Sequence, residues 1–86
     1  MKVYRIDIEN GEYYTLTEKE LHDLFTSKEI QAFKNNENTY FYETKYTTRQ
    51  LTKARKLHDD EEYCYKFEED HNIAPSVYDI LQYLYN

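Results

Sequence analysis

One glycine, one proline, one cysteine and no tryptophan occur among the 86 residues. With Gly11 alone, no glycine-rich loop can cradle a phosphate. With Cys64 alone, no internal disulfide can form, so the chain does not read as a stapled secreted domain. No run approaches the ~18 apolar residues of a membrane span, and the opening MKVYRIDIENG lacks the apolar segment of a secretory leader. A cytoplasmic protein (host cytoplasm if the gene is viral) with no membrane partner is expected. Cations are scarce too, 11 Lys and Arg against 17 Asp and Glu, for a net charge of −6. Binding to a phosphate backbone draws its energy from neutralising phosphates, so this balance argues against it and favours basic protein surfaces by steering.

Tyrosine is abundant. Eleven tyrosines and four phenylalanines lift the aromatic share to 17%, which opposes the disorder that 33% charged residues would otherwise suggest. A chain of this length forms one small globular domain, 1–86, with a modest core. Such a core cannot hide fifteen aromatic rings. Some tyrosines are therefore expected at the surface, where an apolar body with a polar tip makes a good interface anchor.

Along the chain, Lys2 to Ile8 alternates, with Tyr4, Ile6 and Ile8 on one face. Asn10-Gly11 and then Glu12 to Leu16 complete a hairpin. A two-residue loop would set Ile6 against Thr15 and mix the faces. A three-residue loop, Glu9-Asn10-Gly11, pairs Ile6 with Tyr14 and Tyr4 with Leu16, keeping one apolar face, and is the expected register. Thr17 to Glu20 is a capping box with Leu16 and Leu21 as staple, opening a helix to about Phe25. Ser27 is expected to cap a second helix carrying Ile30 and Phe33 and ending near Asn35-Asn36. Residues 38–46 are the strongest strand, joining the hairpin in a three-stranded antiparallel sheet. Thr47 to Gln50 opens a helix through Leu51, Ala54, Leu57 and His58, which breaks near Asp59-Asp60 or runs on to His71. Ser76 and Asp79 box the last helix. The expected class is α+β: a hairpin and a third antiparallel strand packed on several short helices.

Charge is segregated. Lys45 to Lys56 holds five cations and no anion, whereas Asp59 to Asp70 holds seven carboxylates and only Lys66. On a helix, Glu61, Glu62, Glu68 and Glu69 share a side with Tyr65 between them, while Tyr63, Cys64 and Phe67 turn inward. Glu61 and Glu68 would stand about 10.5 Å apart at 1.5 Å per residue. Carboxylates so spaced could take the places of nucleic-acid phosphates in a basic groove, with Tyr65 in a base-like slot. A plain solvated helix face explains the same pattern. In the basic block, Arg49, Lys53 and Lys56 share a face, with Leu51, Ala54 and His58 turned away, and such a helix could enter a major groove. Lys56–Asp60 and Arg55–Asp59, four residues apart, would partly neutralise the two blocks.

Catalytic and metal chemistry find little purchase. Cys64 and His71 are two turns apart, and no C-x-x-C or H-E-x-x-H occurs. Glu68-x-x-His71 has di-iron spacing but would need a second copy of the motif, and His58 with Glu62 offers only a weak pair. Cys64 alone on an aromatic helix face reads as a small core residue. No enzyme, cofactor or metal site is expected.

The compositional bias to Lys, Asn, Glu, Tyr and Ile suggests an AT-rich genome. With the segment DDEEYCYKFEED at 59–70, it resembles the small acidic phage proteins that inhibit host defences, such as anti-CRISPR and anti-restriction proteins, several of which mimic nucleic acid in charge. The resemblance is one of composition, without a shared motif. It implies an inhibitor or adaptor docking on a basic, nucleic-acid-handling protein through Glu61, Glu62, Glu68 and Glu69, anchored by Tyr65 with Tyr40, Tyr42 and Tyr46. The alternative is a DNA-binding regulator acting as a dimer through Arg49, Lys53 and Lys56. A third reading is self-association into a homodimer through the tyrosines.

Overall fold

The computed structural model describes residues 2–7 and 13–86. Their backbone gathers into two compact units, Met1–Thr47 and Thr48–Asn86. The first contains β1 (Lys2–Asp7), β2 (Tyr13–Thr17), α1 (Glu18–Leu24), α2 (Ser27–Asn35) and β3 (Tyr40–Thr47). The second contains α3 (Thr48–His58), α4 (Glu61–His71) and α5 (Val77–Tyr85). The class is α+β.

In the first unit the strands form one antiparallel sheet in the order β2-β1-β3. Ile6 faces Tyr14 and Tyr4 faces Leu16, the register that keeps one apolar face. The three-residue loop proposed to set it lies outside the described residues. On the other side Ile6 meets Phe41 and Tyr4 meets Glu43. The third strand begins two residues later than expected and runs one further, to Thr47.

The apolar face is closed by α1 and α2. Ile6, Leu16, Leu21 and Ile30 form a buried cluster, with Tyr4, Phe25, Phe33 and Phe41 around it. Phe25 sits edge-on to Phe33 at 5.0 Å, and Tyr4 stacks on Phe41 at 5.6 Å, arrangements that suit the ring quadrupoles. Helix α1 starts at the expected capping box, Thr17 and Glu20 each accepting the other's backbone N–H. Helix α2 starts one residue earlier than expected. Thr26, not Ser27, is its cap, because Thr26 takes an extended backbone and pairs reciprocally with Glu29. Both hydroxyl residues suit the role, and the position of the glutamate three residues on decides between them.

Between Lys2 and Tyr4, β1 advances two residues while β3 runs four, from Thr47 back to Glu43. This bulge sets Thr44, Lys45 and Tyr46 opposite Val3. Buried Thr44 donates its hydroxyl to the Val3 carbonyl at 2.8 Å and accepts the Tyr46 N–H at 3.2 Å. The side chain thus supplies hydrogen bonds that the broken ladder cannot.

In the second unit, Leu51, Ala54, Phe67, Tyr78, Ile80 and Leu81 are buried, and α3 packs on both α4 and α5. The segment 48–71 is two helices. Asp60 ends the continuity by capping α4, its carboxylate accepting the Tyr63 N–H at 3.1 Å. Ser76 and Asp79 box α5 as expected. No helix of the described residues is long and apolar enough to cross a membrane.

Candidate functional site: the acidic face of helix 61–71

Helix α4 has two different sides, set by the 3.6-residue period. Glu61, Glu62, Tyr65, Glu68 and Glu69 are all exposed, and Tyr65 keeps 70% of its surface. None of these four glutamates has an ion-pair partner among the described residues. Tyr65, Glu68, Glu69 and Asn72 line a shallow depression of about 370 Å³. Asn72 ends the helix in the left-handed region at φ 60°, donating its N–H to the Glu68 carbonyl at 2.8 Å. Asn72 was not among the expected contact residues. Its place seven residues after Tyr65, two turns along the same side, was the available signal.

The opposite side of α4 is aromatic. Phe67 stacks on His71 at 4.2 Å, and Tyr83 of α5 meets both edge-on, at 5.5 and 5.0 Å. The Phe67 carbonyl can only accept, so His71 Nδ1, 3.0 Å away, carries the proton and donates. Tyr63, Lys66 and Asp70 join these three around a notch of about 170 Å³. Packing of Tyr63 and Phe67 was legible from their spacing, whereas the recruitment of His71 and Tyr83 was not.

Cys64 lies in the first turn of α4, within reach of the end of α3. Its single S–H is shared between the Leu57 and His58 carbonyls, at 3.5 and 3.3 Å, and the Leu57 carbonyl also accepts the Asp60 N–H at 3.1 Å. Burial pushes the thiol's pKa up, and Asp60 and Asp59 push it further. A thiol held protonated in this way is a poor nucleophile. Burial likewise raises the Tyr63 phenol, whose hydroxyl has no partner among the described residues. Among the described residues, no three His, Cys, Asp or Glu side chains gather as metal ligands.

The remaining expected residues fall in two places. Arg49, Lys53 and Lys56 are exposed along one side of α3, with Leu51 and Ala54 buried on the other. His58, expected to turn with Leu51 and Ala54, is instead exposed at the helix end. Tyr40 and Tyr42 lie in the first unit at 72% and 36% exposure. Tyr46 is only 4% exposed and is a core residue, so it offers no anchor. The bulge beside it makes the simple alternation of β3 a poor guide at this end.

No protein-family model, curated protein or solved structure matches this chain.

Proposed function

We propose that this chain is a non-enzymatic inhibitor or adaptor that docks through the acidic face of α4 on the basic surface of a nucleic-acid-handling protein. The observation that carries the reading is the exposed Tyr65 set among Glu61, Glu62, Glu68 and Glu69, none of them ion-paired within the described chain. Like charges along a helix side destabilise it mildly, and a basic partner would relieve that repulsion. Glu61 and Glu68 are about 10.5 Å apart along the axis, and Tyr65 between them supplies the apolar anchor. The partner would read the carboxylates as it reads phosphates, in the manner of the anti-CRISPR and anti-restriction proteins that the composition resembles.

The test is affinity capture from lysate at low and high salt, with and without nuclease. Wild type should retain one nucleic-acid-handling protein after nuclease treatment and lose it at high salt. The variant Glu61→Lys, Glu62→Lys, Glu68→Lys, Glu69→Lys should retain none while keeping its circular dichroism spectrum. Equal capture by this folded variant overturns the proposal.

A second reading rests on Arg49, Lys53 and Lys56, which are exposed and without ion pairs among the described residues. As a DNA-binding regulator the chain would be recovered with DNA itself. Its DNA affinity would fall steeply with salt and collapse when the three residues become alanine.

A further inference from the structure

In the first unit β3 is an edge strand: β1 lies on one flank, and no described strand lies on the other. An edge strand is a template for another chain unless something blunts it. The second half of β3 is blunted. The bulge breaks its regularity opposite Val3, Thr44 and Tyr46 are buried, and Lys45 adds a charge. The first half is not. Tyr40 to Glu43 pairs residue for residue with β1, from Asp7 back to Tyr4, and reads Tyr-Phe-Tyr-Glu. Tyr40 is 72% exposed, more than any other large hydrophobic residue described.

We propose that this half-strand pairs antiparallel with the same half-strand of a second copy, about a two-fold axis at Phe41, joining two sheets into one. Symmetry and side-chain chemistry select that register. Residues directly opposite in an antiparallel pair point to the same face, so a two-fold axis perpendicular to the sheet must pass through a residue position. An axis at Glu43 sets two carboxylates against each other. An axis at Tyr42 sets Phe41 against Glu43 and carries the pairing into the bulge at Thr44. An axis at Tyr40 runs the pairing off the start of β3 into the turn before it. Only an axis at Phe41 opposes three aromatic positions of β3: Tyr40 lies against Tyr42 of the second copy and Phe41 against Phe41, while Glu43 falls against Thr39, which precedes the strand. Cross-strand aromatic pairs stabilise a sheet, and no like charges meet. The contact is isologous, so it closes at two copies. It uses nothing of the acidic face of α4 and stands or falls separately from the docking role.

Sedimentation of the purified chain under reducing conditions, which keep Cys64 from cross-linking copies, tests the proposal. From micromolar to millimolar concentration the mass should rise from that of one chain towards two and stop there. Over the same range, amide hydrogen exchange at residues 40–43 should slow. Tyr40→Lys should sediment as one chain throughout with an unchanged circular dichroism spectrum, and Tyr40→Phe should behave as wild type. The variant with four glutamates changed to lysine on α4 should still dimerise. A wild type that stays at one chain, growth beyond two, or unchanged dimerisation of Tyr40→Lys overturns the proposal.

Discussion

The Thr44 hydroxyl donates to the Val3 carbonyl across the bulge at 2.8 Å, and both residues are buried. Thr44→Val keeps the shape but leaves that carbonyl and the Tyr46 amide without this partner. A buried group left unsatisfied costs about 1–3 kcal/mol. Chemical denaturation should therefore show a loss of that order, and Thr44→Ser should recover much of it. Equal stability of Thr44→Val and wild type would show the hydrogen bond to be dispensable.

Two neighbouring hydroxyl residues at the start of α2 should differ in consequence. Thr26 accepts the Glu29 N–H at 3.1 Å, whereas Ser27 is the first helical residue. Replacing a cap by alanine costs about 1 kcal/mol, while an exposed serine within the helix costs little. Thermal melting of Thr26→Ala and Ser27→Ala should place the loss on Thr26 alone.

Cys64 should react slowly. Its thiol is held protonated by burial and by Asp60 and Asp59, so alkylation near neutral pH should lag behind that of a free cysteine. The sign for stability follows from the raised folded-state pKa. The contribution is fully present below the unfolded thiol's pKa of about 8.5, and is lost as pH rises from there through the higher folded value. Tyr63, also raised by burial, extends the loss to higher pH. Denaturation from pH 7 to 10 should show falling stability, with a shallower fall in Cys64→Ala.

Phe67 and Tyr65, two residues apart, should separate stability from binding. Phe67 is 6% exposed and contacts His71 and Tyr83, and removing a buried phenylalanine costs about 3–5 kcal/mol. Tyr65 is 70% exposed, so Tyr65→Ala should melt as wild type yet lose capture of the partner. A fall in melting temperature for Tyr65→Ala matching that of Phe67→Ala would contradict the two-sided reading of α4.

Local signals carried well where a short-range rule had one solution. The capping boxes at Thr17–Glu20 and Ser76–Asp79, and the pairing of Ile6 with Tyr14, follow from spacing within a few residues. The inward turn of Phe67 and the outward turn of Tyr65 follow from the helical period. The expectation erred at Ser27, where the glutamate three residues after Thr26 selects Thr26 as the cap, and where the strand stopped being regular, as at Tyr46. The cap that divides 48–71 was a choice between two legible outcomes. Asp60 decided it by giving its carboxylate to the Tyr63 amide.

The sequence by itself determined the α+β class, the hairpin register and the segregation of charge, because periodicity and near-neighbour chemistry act within a few residues. Only the tertiary structure decided which tyrosines are core and which are surface. It also decided what Cys64 does with its thiol, and it gathered Phe67, His71 and Tyr83 into one cluster. Each of these depends on which distant segment covers a side chain, and burial of that kind is not written in local spacing.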